Sequence, residues 1–157
     1  MMGRLLCMRI EFYKQEHFET CMQIIQSNTP KYILPVEHLD FKNYLLKENK
    51  TYFVFFKNKN LVACGGYALN EIKTKAGLCW GLVHRQYHKQ GYGSRSLKYR
   101  LNHIMVNYPQ IEIHLDTSQH THQFFEKFGF ITEQITKNGY GEGLDKYDMT
   151  LNKDSNL

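Results

Sequence analysis

The chain has 157 residues, of which 42% are hydrophobic and 14% aromatic, which suits one globular domain around one core and excludes a disordered or fibrous chain. No apolar run approaches the roughly 18 residues a membrane helix needs. The formal charge of +5 is uneven: seven Lys and Arg and no Asp or Glu lie between Ile72 and Ile111, leaving −2 elsewhere, so an anionic partner is expected for that segment.

The N-terminal MMGRLLCM lacks the apolar core and cleavage site of a secretory signal. Met1 to Cys7 reads as a lead-in, with Met8 a second candidate start. Cys7, Cys21, Cys64 and Cys79 show no CxxC spacing, and reduced, mostly buried thiols in a cytoplasmic protein are expected. A strand is predicted over Arg9 to Lys14. Phe18, Cys21, Met22 and Ile25 recur at helical spacing, and the Ser-Asn-Thr-Pro run ends that helix near Ser27. A second helix starts at about Pro35, with Leu39, Tyr44 and Leu45 on its apolar face.

TYFVFF (Thr51 to Phe56) and LVACGGYAL form a hairpin around a polar turn, and Gly65-Gly66 marks a bulge or a close backbone approach. Ala76 to Val83 is a further strand, with Gly81 a second bulge candidate. Leu97, Leu101, Ile104, Met105 and Tyr108 line one face of a helix that Pro109 ends. Ile111 to Asp116 is a strand, and Thr117 or Ser118 caps a short helix ending at Gly129. Two last strands, ITEQIT and KYDMTL, flank a glycine-rich NGYGEGL loop. The order β-α-α-β-β-β-α-β-α-β-β predicts an α/β (α+β) domain: a mixed, mostly antiparallel sheet of six to seven strands with helices on both faces. It spans residues 8–151, with a polar tail at 152–157.

The most informative stretch is VHRQYHKQGYGSRSL, Val83 to Leu97. It joins a strand end to a helix start, and helix N-termini carry free N–H groups and a positive dipole. Gly91 and Gly93 remove the Cβ atoms that would hold an anion away, so His88 to Ser94 form a phosphate nest, with Lys89 and Arg95 adding charge. No GxxxxGKS or GxxxxGKT occurs, which excludes a nucleoside-triphosphate P-loop. Gly91, Gly93 and Ser96, with Glu112 downstream, approach a dinucleotide fingerprint. Against it, six residues separate His84 from Gly91, and only one parallel crossover is present.

The same stretch resembles the acyl-CoA-binding motif of the GNAT superfamily of N-acetyltransferases, with core Q/R-x-x-G-x-G/A. Val83 matches the last apolar strand position, Tyr87 the frequent aromatic, and Gly91 and Gly93 the small residues; His88 stands where Arg or Gln is usual. FFEKFGF (Phe124 to Phe130) is similar to the family's LYEKLGF, and the element order matches from Met8 to Leu151. The resemblance implies an enzyme that moves an acetyl group from acetyl-CoA, its co-substrate, directly to a primary amine. CoA would lie in a gap where the strand ending at Val83 splays from the one beginning near Ile111. Its pantetheine arm would pair with the backbone of Leu82 and Val83, and its pyrophosphate would sit on His88, Lys89, Gln90, Gly91, Tyr92, Gly93 and Ser94. Ser118, Phe124 and Lys127 would complete the cofactor contacts, with Ser118 where the family often has Asn.

Phe125 replaces the family's tyrosine acid. His120, His122, Tyr87, Tyr92 and Tyr140 are candidate substitutes, with His120, at the start of the neighbouring helix, put first, and Glu71 and His84 are candidate bases. Trp80, Tyr140 and Glu142, together with the segment Asn28 to Val36 between the first two helices, are candidate walls of the acceptor site, where Glu142 would favour a cationic amine. His120-x-His122 points two rings to opposite helix faces without a completing ligand, so no metal is expected. Two other readings stand beside the enzyme: a non-catalytic acyl-CoA-binding module of the same fold, and nucleic-acid binding through the basic segment. The latter is disfavoured because basic and aromatic residues do not interleave on one strand face. Family members often pair through their last strands, which implies a homodimer.

Overall fold

The structure is a computed structural model and describes residues 8–152 and 154. The expected lead-in, with Cys7, and most of the polar tail lie outside the described residues. The element order matches the expected one. β1 (Arg9–Phe12) leads through a 3-10 turn (Gln15–His17) to α1 (Phe18–Ser27) and α2 (Glu37–Leu46). β2 (Thr51–Lys57), β3 (Asn60–Leu69) and β4 (Lys75–Val83) follow, then a second 3-10 turn (Arg85–Tyr87) and α3 (Tyr92–Asn107). β5 (Glu112–Thr117), α4 (His122–Glu126), β6 (Phe130–Gly141) and β7 (Leu144–Leu151) complete the domain.

The seven strands form one sheet in the order β1-β2-β3-β4-β5-β7-β6. Every neighbouring pair is antiparallel except β4 and β5. Tyr52 to Phe56 are all buried because β2 is covered on both faces. On one side α3 contributes Leu97, Leu101 and Ile104, packed with Phe53, Phe55 and Ile113. On the other, Cys21, Ile24 and Ile25 of α1 and Phe41 and Leu45 of α2 pack on Tyr52, Val54 and Leu82. Truncating one of these fully buried side chains to Ala removes about 2–5 kcal/mol. Among the described residues no helix is long and apolar enough to cross a membrane.

Several boundaries differ from expectation for local reasons. β1 stops at Phe12 because Lys14 N–H turns to His17 Nδ1 at 3.0 Å, starting the 3-10 turn. The helix predicted from Thr117 or Ser118 to Gly129 is only His122–Glu126, since a hydrogen-bonded turn at Ser118–Thr121 precedes it. The expected NGYGEGL loop is mostly strand: β6 runs to Gly141, with a register shift between Thr136 and Gly141. Asn138, at φ 55°, accepts Gly143 N–H, and its own N–H reaches Asp145 Oδ1, which holds the hairpin end.

The glycine pair of β3 splits its work. A Cβ at Gly66 would collide with Thr51 O, so β2 and β3 require glycine there. The bulge itself lies on β4: Gly66 faces Cys79 and Cys64 faces Leu82, so Trp80 and Gly81 together oppose Gly65. Trp80 takes φ 46° to make this turn.

Candidate active site

β4 and β5 are paired only over Lys75–Gly77 and Glu112–His114; beyond that the strands part, and β5 continues against β7. The last half of β4 therefore has an unpaired edge. His84 N–H still bonds Val62 O at 2.8 Å, and Leu82 faces Cys64. Strand alternation turns the amide of Val83 the other way, into the gap, and that of Leu82 toward β3. Val83 O accepts from Asn28 Nδ2 at 3.0 Å and contacts His88 Nε2 at 2.9 Å. Its two lone pairs are thus occupied, and the Val83 N–H is the group left facing the gap.

At the mouth of the gap the chain builds an anion cradle. Lys89 (φ 61°) and Gly91 (φ 89°) are left-handed, and Gly91 caps α3. Arg95 N–H is the first to close an intrahelical bond, onto Gly91 O at 3.2 Å, so the Tyr92, Gly93 and Ser94 amides point out of the helix end. A Cβ built at Gly91 would meet Arg95 Nη2 at 3.7 Å. A Cβ at Gly93 would sit 3.6 Å from Phe124 Cζ and 3.8 Å from Val83 Cγ2. The floor of the cradle is thus backbone, with Phe124 and Val83 as its sides. Lys89 and Gln90 are exposed, whereas the Tyr92 ring is buried against Tyr87 and offers only its amide.

Tyr32, from the α1–α2 connection, spans the gap. Its ring meets His88 edge-on at 5.3 Å and His120 at 5.8 Å, while the Arg85 guanidinium lies 5.7 Å from its centre. His88, desolvated and close to Arg85, His84 and Lys31, has its pKa below the ordinary histidine value despite the bond to Val83 O. Ser118 is buried and accepts His120 N–H at 3.2 Å. His122 turns away from His120, to Glu126 Oε1 at 2.9 Å and onto the Tyr147 ring. Phe125 packs into the core beside Phe124 and Phe130.

The face of the gap toward α1 and α2 is acidic. Tyr140 donates to Asp116 Oδ2, and burial with that carboxylate pushes the phenol pKa upward. Glu37, in the first turn of α2, accepts Leu34 N–H at 2.8 Å. Burial raises its pKa, and the charges of Asp116 and Asp40 raise it further, partly opposed by that hydrogen bond. Among the described residues, no ion pair neutralises Glu37, Asp40 or Asp116, whereas Asp148 has Lys146 at 3.8 Å. Cys79 on β4 feels the Asp116 charge from across the gap, and Trp80 packs inward against Phe41, rings tilted by 41° and 5.0 Å apart.

The structure thus gathers Val83, His88, Gly91, Tyr92, Gly93, Ser94, Ser118, His120 and Phe124 around one gap, with Tyr140 at its acidic face. Glu71 is apart from them, in the exposed turn before β4, at the end of that strand opposite the gap. His84 bonds Gln86 N–H and lines a surface groove with Glu19, Met22 and Gln26 of α1. Glu142 is exposed at the hairpin tip and Lys127 at the end of α4. Asn28 and Tyr32 lie in the segment expected to wall the acceptor site; sequence reasoning missed Glu37, Arg100 and Asp116. Only Arg100 left a signal: it is a charge on the apolar stripe of Leu97, Leu101 and Ile104.

Comparison with known proteins follows the same lines. Residues 12–153 match the family model described as an acetyltransferase (GNAT) domain. No curated protein matches the chain in sequence. Among solved structures, the fold is similar to the ribosomal-protein-S18-alanine N-acetyltransferase from Escherichia coli, at 17% identity and TM-score 0.77 over 96% of this chain and 100% of that one. It is also similar to an aminoglycoside 6'-N-acetyltransferase complexed with coenzyme A, at 14% identity and TM-score 0.73 over 94% and 99% of the two chains. A spermidine N-acetyltransferase from Vibrio cholerae matches at 14% identity and TM-score 0.72, over 92% of each chain.

Proposed function

The chain belongs to the GNAT acetyltransferase family, and from that premise we propose that it transfers the acetyl group of acetyl-CoA directly to a primary amine on a cationic acceptor. Family membership makes it an acyltransferase; the acceptor class and the residue roles are the proposal. The observation that supports it most is the β4–β5 gap with the left-handed Gly91 cap and the free amides of α3 at its mouth. A cradle without side chains, flanked by Lys89 and Arg95, suits a pyrophosphate, and the Val83 N–H suits an amide of the pantetheine arm.

Acetyl-CoA supplies an activated thioester carbonyl, and this chain's residues do the rest. The Gly81 N–H polarises the carbonyl oxygen. Asp116 and Asp40 attract the acceptor's ammonium group. Glu37, held above the ordinary carboxylate range, takes the ammonium proton and leaves a nucleophilic amine. The new nitrogen–carbon bond forms as the carbon–sulfur bond breaks; the nitrogen sheds its remaining extra proton to water, and His120, on the far bank of the gap, gives a proton to the leaving sulfur. Glu71 and His84, apart from the gap, take no part. Cys21, Cys64 and Cys79 are free thiols, which suits a reducing, cytoplasmic setting.

The test is an acetyl-transfer screen over polyamines, amino acids, aminoglycosides and peptide N-termini, read as amine-dependent thiol release. The proposal expects polycationic amines to give the highest kcat/KM. Faster transfer to neutral or acidic amines would refute the acceptor class.

A further inference from the structure

Arg100, in the middle of α3, is only 4% exposed. Among the described residues no carboxylate lies within ion-pair distance of it. Its Nε–H reaches Ser96 O at 3.4 Å and its Nη1–H reaches Gly66 O at 3.3 Å, both long bonds, and Nη2 donates to no described residue. The guanidinium lies against the two glycines that face each other across the bulge. A Cβ at Gly65 would meet Cζ at 2.9 Å, and one at Gly81 would meet Nη2 at 2.8 Å. Sheet and helix have thus made room for a buried cation and supplied no anion. An unpaired buried charge costs several kcal/mol, and desolvation draws its pKa below the ordinary arginine value. Gly81, against which it lies, is exposed and sits in the β4 bulge, beyond the last residue of β4 that pairs with β5.

We propose that Arg100 is a positioning residue for acetyl transfer, holding the β4 bulge through Gly66 O and placing a fixed positive charge behind the Gly81 amide. The inference rests on the transferase reading above. As the nitrogen–carbon bond forms and the carbon–sulfur bond breaks, negative charge builds on the thioester oxygen and then on sulfur. A cation already oriented in a dry interior stabilises that charge without reorganising. The planar guanidinium fits the slot between two Cα faces, which a lysine ammonium does not fill.

The experiment compares wild type, R100M and R100K by steady-state kinetics and by the isotope-edited infrared stretch of the bound acetyl carbonyl of acetyl-CoA. The expected result for R100M is a kcat lower by about 100-fold, with the KM for acetyl-CoA within about threefold. Its bound carbonyl stretch should move back toward that of free acetyl-CoA, and R100K should retain more kcat than R100M because the charge remains. An R100M kcat within about twofold of wild type, or an unchanged stretch, overturns the proposal. If R100M does not fold, the wild-type spectrum decides: a stretch at the free position overturns it, and a lowered one that R100K partly preserves supports it. Wild-type turnover with an amine tests the transferase reading separately.

Discussion

His88 closes the end of β4 with its own ring, bonding Val83 O beside Asn28, and this leaves it sensitive to pH. Burial is the largest cause of its lowered pKa. The unfolded state therefore binds more protons between the folded value and the ordinary 6.5. Stability is full above that ordinary value and falls as pH drops through the folded one. Denaturant titrations across pH should show wild type losing stability in acid more steeply than H88Q; parallel curves would refute this. Glu37 has the opposite sign. Its raised pKa means stability is full below the ordinary carboxylate value and lost as pH rises through the folded one. E37Q should thus raise Tm at pH 7 by a few degrees and raise the KM for a polyamine by about tenfold; an unchanged KM would contradict its place at the acceptor. Gly91 was legible in the sequence because its reason is local, a left-handed turn before a helix that favours glycine. Glu37, Asp116 and Arg100 were not, because each acquires its meaning from partners far away in the chain.

At the scale of elements, the gap follows from β4 and β5 pairing over three residues and then parting. The first turn of α3 fills the mouth with amides, and Gly93 keeps it open between Phe124 and Val83. G93A adds only ordinary contacts and should retain CoA affinity. G93V should raise the Kd for CoA more than about tenfold by occupying the cradle, with Tm little changed; calorimetric titration gives the first and thermal unfolding the second. Equal affinity in G93V would move the site elsewhere. G66A, which drives a methyl into Thr51 O, should instead lose more than about 2 kcal/mol of stability, read from denaturant midpoints. The order of elements was readable from periodicity and turn residues. The ends of β1, α4 and β6 were not, since single hydrogen bonds accepted by the side chains of His17, Ser118 and Asn138 decide them. The glycines of β3 and β4 announced irregularity, but Trp80, a bulky residue, carries the left-handed turn.

Across the whole molecule, charge is divided by the gap. The Ile72–Ile111 run, free of acids, contains the proposed pyrophosphate cradle, and Glu37, Asp40 and Asp116 gather on the other side. The basic half was visible as a run; the acidic half comes from α2 and β5 and exists only after folding. An anionic donor and a cationic acceptor would be drawn to opposite walls, so both KM values should rise with ionic strength. Salt-independent KM values would show that the two fields do not guide binding. The most direct measurement mixes the purified protein with acetyl-CoA and a linear polyamine, following free thiol together with the mass of the amine. The account predicts thiol release only when the amine is present, matched mole for mole by amine carrying one acetyl group. CoA-induced stabilisation without amine-dependent thiol release across the amine panel would contradict it.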